Sequence, residues 1–438
     1  MKSVTLVFLV HQPVRLKRYR FFDIGTHHDY YDDYANETLI RQLAAQCYLP
    51  ANSLLLRQIN RLNGQLKVAF AIPGVTLELF EQYAPEVTDS FILLAETGNV
   101  EFLGGTYSHS LSSVADPASF ASEAEHQRQA ISRLSGQQPE VFLNTEMIYS
   151  DTIGAMVADM GYKGMITEGA RHILGWKSPD FLYCNAINPR LKVMMRHSKL
   201  SDDLSIRFSD NSWAGYPLTA DKYLGWIRGS EPAGESITIC VDYGTFGNVH
   251  PAKSGIFNFL DHFIFLVTQS QDVFFSSPRE VIARLQPVSL INVKHPVSLA
   301  GEERDLSFWN GNDIQGEALA KLYELALPMN HNVDPDILKD WHYLQASDHF
   351  LFMSTKAAPQ PLHNRYSPYN SPFEAFINYM NILNDFSLRM DENPLKPDCF
   401  EELENCRRLL KEKEQEIEEF REEIRRLKRH KRLPRSGG

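Results

Sequence analysis

VFLNTEMIYSD, residues 141–151, sets a short apolar run before a glutamate and the start of a helical pattern. This is how a barrel strand opens into the loop that follows it, and barrel enzymes carry their chemistry at that end of the strand. A second stretch far along the chain, ITICVDYGTFG at residues 237–247, has the same form. Its β-branched run ends on an acid, Asp242, and a glycine-rich turn follows. Glu146 and Asp242 thus read as two strand-end carboxylates able to flank one bond. Singly, each acid reads as a helix cap or a solvated loop charge. Only the pair points to catalysis.

Outward from these two stretches, short apolar runs alternate with helical patterns. Strands are expected at residues 4–10, 66–72, 100–103, 141–143, 164–167, 191–195, 237–241 and 273–275. Asp116-Pro117 and Ser277-Pro278 each offer a capping oxygen followed by a proline suited to a first turn, and Asp151 reads as the cap of a helix that Gly161 ends. Such alternation predicts an α/β fold with a parallel sheet. With roughly seven or eight strands, near-continuous apolar character in several of them favours a closed or nearly closed parallel (β/α) barrel over an open sheet. No GxGxxG or Walker pattern argues for the open form.

Beyond about residue 310 helical patterns take over, at 316–327, 335–344 and 372–383, with aromatic residues such as Trp341, Phe350 and Tyr379 that read as core before they read as sugar platforms. Residues 401–427 form heptads. Leu403, Leu410, Ile417 and Ile424 fall at a, and Cys406, Lys413, Phe420 and Leu427 at d. Glu416 and Glu423 at g would meet Arg421 and Lys428 of a parallel partner, so a homo-oligomer through a C-terminal coiled coil is expected. The alternative is one amphipathic helix folded back on its own chain. The expected division is a barrel at 1–300, an α-helical domain completing the cleft at 301–393, and the coiled coil with its basic tail at 394–438.

At 438 residues the chain exceeds what one core usually supports, and its formal charge of −11 leaves no footprint for a nucleic-acid backbone. Its five cysteines (Cys47, Cys184, Cys240, Cys399 and Cys406) form no CxxC pair and suggest a reducing compartment. VTLVFLV, residues 4–10, is too short to span a membrane and reads as a buried strand. The expectation is a cytoplasmic protein without membrane or nucleic-acid partners.

Three further segments carry candidate site residues. His11 and Gln12 follow the first strand, on the barrel face of the two acids, where they suit sugar hydroxyls. In GNVEFLGGTYSHSL, residues 98–111, Glu101 and His109 flank a double glycine that lets backbone approach a ligand. In ERDLSFWNGN, residues 303–312, Asp305 offers an acceptor and Trp309 a stacking face. Trp213 joins the same substrate-binding set.

Read together, these segments resemble glycoside hydrolase family 57, and more closely its α-amylase branch. The resemblance covers most of residues 1–390, through HQP, GNVEFLGG, NTEMIY, DYGTFG and ERDLSFWNGN, with LQASDHFLFMSTK and YSPYNSPFEAFINYM in support. It implies an incomplete parallel (β/α) barrel of about seven strands followed by an α-helical domain, and a retaining mechanism on α-glucans, with Glu146 as nucleophile, Asp242 as general acid and base, and His11, Glu101 and Asp305 in support. It implies no cofactor and no metal. One departure stands out: Gly244 occupies the position where this branch usually has a glutamate, and Asn248-Val249 the place of a common Glu-His pair. Two other classes are weighed against this one. A metal-dependent deacetylase or mannosidase would use His11, His109 or His250, but the His-x-Asp and His-x-x-x-His spacings it needs are absent. A non-catalytic glycan-binding scaffold would use the coiled coil for assembly.

Overall fold

The computed structural model describes residues 1–326, 334–356, 367–392 and 413. The expected coiled coil at 401–427 therefore lies outside the described residues, apart from Lys413.

Ten strands are present among the described residues: β1 (Lys2–Leu9), β2 (Val68–Ala71), β3 (Val100–Phe102), β4 (Val141–Leu143), β5 (Gly164–Glu168), β6 (Leu182–Asn185), β7 (Lys192–Arg196), β8 (Ser236–Asp242), β9 (Val273–Phe275) and β10 (Leu290–Ile291). β1 is central, parallel to β8 from Ser3↔Ser236 to Leu9↔Asp242 and to β2 from Leu6↔Val68 to Leu9↔Ala71. Parallel pairing continues from β2 to β3, β4 to β5, β5 to β7 and β7 to β8. Two seams are thin. β3 meets β4 through one bridge, Gly104↔Phe142, and β7 meets β8 at Arg196↔Thr238. Two strands have no counterpart in the sequence reading. β6 runs antiparallel to β7, and the two-residue β10 pairs with β6. β10 has only two residues, and β6, with the sequence LYCN, carries no β-branched residue and no strict alternation to mark it as a strand.

Because successive side chains alternate between faces, β1 serves two cores. Val4, Leu6 and Phe8 pack outward against the surrounding helices, whereas Val7 points inward with Ala69, Val141, Ile166, Met194 and Cys240. Val281, Ile282 and Leu285, on or beside the helix Pro278–Arg284, join that inner cluster. Met147 and Leu299 join it from loops.

The capping signals hold, with one correction. Asp116 accepts from Ser119 N at 2.7 Å to start Pro117–Ser135, which Gly136 ends at φ 69°. Ser277 and Glu280 form a capping box. Asp151 is not a cap. Ser150 caps the helix Asp151–Asp159, and Asp151 instead accepts from Val293 N at 2.9 Å, tying this helix to a distant loop. No described helix is long and apolar enough to cross a membrane.

The helices Asp313–Glu324, Pro335–Leu344, Ser347–Phe352 and Pro372–Glu392 share one core with Phe142, Ile148, Tyr149 and Met165. Trp341, Phe350 and Tyr379 are buried there. The helix Pro372–Glu392 also pins the long loop after β1, whose arms pair at Leu16↔Tyr31. Asn378 accepts from Tyr19 N at 2.7 Å. The fully buried Asp385 accepts from Gly25 N at 2.6 Å, from the Tyr30 hydroxyl at 2.5 Å, and pairs with His28 at 2.7 Å. Burial pushes the Asp385 pKa up, but the hydrogen bonds from Gly25, Tyr30 and His28 outweigh it and hold it below the usual range. A depressed carboxylate contributes stability that is present above its unfolded pKa and lost as pH falls through the folded one. Asp385→Ala is therefore expected to destabilise the protein by about 3 kcal/mol at neutral pH, a deficit that shrinks below about pH 4, as read by thermal melts across that range.

Candidate active site

Loops at the C-terminal ends of β1, β3, β4 and β8 converge on one cleft. Its lining includes His11, Gln12, Pro13 and Arg15 after β1, His109 after β3, Glu146 and Met147 after β4, Arg196 of β7, Asp242 of β8, and Asp348 and Phe352 from the helix Ser347–Phe352. Glu146 and Asp242, nearly a hundred positions apart in sequence, face the same space because parallel pairing brings all these strand ends to one side.

Glu146 sits on a strained turn, at φ 50° and ψ 25°, and Met147 follows at φ 55°. His109 adopts φ 52°. Left-handed backbone in such residues costs on the order of 1–3 kcal/mol each and persists only where neighbours enforce it. Here they do. Leu299 N donates to the Glu146 carbonyl at 2.9 Å, Thr167 Oγ1 to the Met147 carbonyl at 3.2 Å, and Asn144 Nδ2 to Ser113 Oγ and the Ile148 carbonyl, both at 2.9 Å. The turn aims the Glu146 carboxylate into the cleft while leaving the residue only 7% exposed.

His109 Nε2 lies 3.3 Å from Glu146 Oε1. Burial first, then the adjoining His11, lowers the His109 pKa against the pull of Glu146, so the imidazole is neutral at neutral pH and donates Nε2–H to the carboxylate. His11 stacks on His109 with ring centroids 3.8 Å apart, and its Nε2 lies 2.7 Å from Asp348 Oδ2. Asp348 thus reaches Glu146 through two stacked rings. Across the cleft, Asp242 Oδ1 accepts from Gly244 N at 2.6 Å. A Cβ at position 244 would lie 2.6 Å from that same oxygen, so this placement of Asp242 needs a glycine there. Gln12 Oε1 accepts from Arg15 Nη2 at 3.3 Å. Arg196 forms part of the wall, donating to Cys240 O at 2.9 Å, Glu168 at 2.9 Å and Asp202 at 2.6 Å.

Four expected substrate residues lie elsewhere. Glu101 points into the barrel below the cleft and accepts from Arg279 N at 2.9 Å, at the start of the helix Pro278–Arg284. Trp213 packs edge-on against Trp226 at 5.8 Å, on the outside of the barrel. Asp305 is spent on its own loop, accepting from Ser307 N at 2.9 Å and Ser307 Oγ at 2.5 Å. Trp309 is 1% exposed, within the core shared with the helices. A strand-end position or a neighbouring acid does not say which way a side chain points. Conversely, Asp348, Arg196 and Arg15 belong to the cleft without having been singled out. Asp348 sits in LQASDHFLFMSTK, but no strand precedes it, and only docking of the helical segment brings it to His11. Among the described residues, no three His, Cys, Asp or Glu side chains are grouped to hold a metal ion.

A mostly parallel α/β barrel with two acids lining one cleft at its strand ends is the framework of a glycoside hydrolase. Residues 5–294 match the model of Glycosyl hydrolase family 57, and the chain belongs to that family. It is 36% identical over 402 residues to a Methanocaldococcus jannaschii protein named "Putative alpha-amylase", with 89% of this chain and 85% of that one aligned. Its fold is similar to the family 57 branching enzyme of Thermococcus kodakaraensis (TM-score 0.65, 12% identity, 92% of this chain and 94% of that one). It is also similar to the alpha-amylase AmyC of Thermotoga maritima (TM-score 0.60, 13% identity, 88% and 93%). The 4-alpha-glucanotransferase of Thermococcus litoralis aligns with 80% of this chain, which spans 56% of that longer protein (TM-score 0.61, 13% identity).

The displacement of Glu101 has a measurable consequence. Burial pushes its pKa up to about 7. A raised carboxylate contributes stability that is complete below the unfolded pKa and lost as pH rises through the folded one. Glu101→Gln keeps a neutral acceptor for Arg279 N, so at pH 8 the variant is expected to exceed the parent by up to roughly 3 kcal/mol, with no gain at pH 4. Urea unfolding at the two pH values checks this, and turnover should be unaffected.

Proposed function

We propose that this protein is a retaining glycosidase that hydrolyses α-1,4-glucosidic bonds in α-glucans, with Glu146 as nucleophile and Asp242 as general acid and base. The observation that carries the reading is the meeting of these two strand-end acids in one cleft of a family 57 chain. The name of its M. jannaschii relative supports the choice of substrate. Asp242 gives its proton to the glycosidic oxygen as the Glu146 carboxylate attacks the anomeric carbon; the C–O bond to the leaving sugar breaks and a glycosyl-enzyme forms. Water then attacks the same carbon and gives its proton to Asp242, and Glu146 leaves. Neutral His109 orients the Glu146 carboxylate through Oε1. His11 and Gln12 supply polar contacts to the sugar. In this reading the helical segment 301–393 completes the cleft through Asp348 and Phe352.

A second reading uses the same residues. If a sugar hydroxyl replaces water in the second step, the product is a rearranged glucan, and the reaction is 4-α-glucanotransfer.

Release of reducing sugar from glycogen, amylose and maltooligosaccharides, with and without chelator, tests the activity, and the size distribution of products separates hydrolysis from transfer. Glu146→Gln should lower kcat by at least about a thousandfold on every substrate. Asp242→Asn should retain much of its activity on aryl glycosides with good leaving groups, and azide should restore the second step. Variants that remain fully active would rule out these roles. A folded parent with no turnover on the panel would leave a glycan-binding scaffold as the better account.

A further inference from the structure

Between the helices Asp33–Leu43 and Leu49–Arg61, residues Ala44–Tyr48 form a π-turn. A π-turn widens a helix by one residue at a cost in hydrogen-bond geometry, and it often marks a functional site. This one packs against the turn Tyr243–Thr245, directly after Asp242. The Cys47 thiol donates to the Tyr243 carbonyl at 3.1 Å, and burial, with Asp242 nearby, keeps it protonated. The Tyr48 ring lies nearly parallel to that of Tyr243, with centroids 6.1 Å apart. One turn further on, Asn52 Oδ1 accepts from the Tyr243 hydroxyl at 2.6 Å, while its amide donates to Ser90 Oγ at 2.8 Å. On the other flank Gly247 approaches so closely that a Cβ would lie 1.9 Å from the Gln46 carbonyl. Consecutive residues of one irregular turn thus meet both ends of the Asp242 loop, Cys47 by a hydrogen bond and Gln46 by close backbone contact. In a regular helix each residue advances about 100°, so removing the extra residue would rotate Gln46 or Asn52 away from this loop.

We propose that the π-turn Ala44–Tyr48, acting on Tyr243 through Cys47 and Asn52, is the device that places Asp242 for proton transfer. Cys47 and Asn52 are then positioning residues, and the inference rests on the reading of Asp242 as general acid and base. Tyr243 is the link: its carbonyl and its hydroxyl are each held by the turn or the helix that follows it, and its backbone carries Asp242 on one side and the Gly244 amide on the other.

The discriminating readout is dependence on the leaving group. A glucan needs its leaving oxygen protonated, whereas a nitrophenyl maltooligoside hardly does. Cys47→Ala and Tyr243→Phe should each lower kcat/KM on amylose by about tenfold, a fraction of what general acid catalysis supplies, and change it by less than about twofold on the nitrophenyl substrate. The basic limb of the pH profile should move with the loss, and Cys47→Ser, which keeps a donor, should restore much of it. Equal losses on both substrates would assign these residues a merely structural role, and unchanged kinetics on amylose would remove the role altogether; either result overturns the proposal. If Cys47→Ala does not fold, Tyr243→Phe, which deletes one hydroxyl, decides alone. Asp242→Asn run in parallel separates the two levels. Should it lose both substrates equally, the assignment of Asp242 fails and the positioning role with it; should it discriminate while the other variants do not, only the positioning role fails.

Discussion

The ladder between β1 and β8, seven residue pairs from Ser3↔Ser236 to Leu9↔Asp242, is the constraint on which the cleft depends. A slip of one residue would turn every side chain of the strand to the opposite face. Val7 and Cys240 would leave the barrel interior, and Asp242 would turn away from the cleft. The alternation that buries Phe8 outward and Val7 inward therefore also sets where the acid at the end of β8 points. Core packing and active-site geometry share one register.

The side chains around that ladder are arranged at some cost. His109, Glu146 and Met147 all occupy left-handed backbone, and the buried Glu146 is met by a histidine whose own charged form is disfavoured. Such an arrangement survives because rigid neighbours hold it from several sides. Leu299 and Thr167, from two distant parts of the chain, bind the backbone of the Glu146 turn, and Asn144 at its start ties it to the Ile148 carbonyl and to Ser113. Asp242 is held differently, through the backbone of Tyr243 and Gly244 and the irregular helix behind them.

The helices beyond residue 312 are part of this system. They bury their apolar faces in a core shared with β4 and β5, and from that position the helix Ser347–Phe352 brings Asp348 to His11. The same segment, through Asn378 and Asp385, orders the loop after β1, whose first residues line the cleft. Removing these helices would expose the shared core and release the loop as well as Asp348.

By itself the sequence determined the local features: eight of the ten strands among the described residues, the caps at Asp116 and Ser277, and the two acids at the ends of apolar runs. These follow from side-chain periodicity and from hydrogen bonds between residues a few positions apart, which a linear reading captures. His11, Gln12 and His109 were legible for the same reason, as polar residues in loops after strands. Tertiary structure alone decided which way the remaining candidates faced. Glu101 turned to a helix N-terminus below the cleft, Trp309 into a core, and Asp305 back onto Ser307, whereas Asp348 and Arg196 entered the cleft from a docked helix and a strand end. A residue's direction depends on register and on which elements pack together, and both are settled by contacts hundreds of positions apart that no local pattern records.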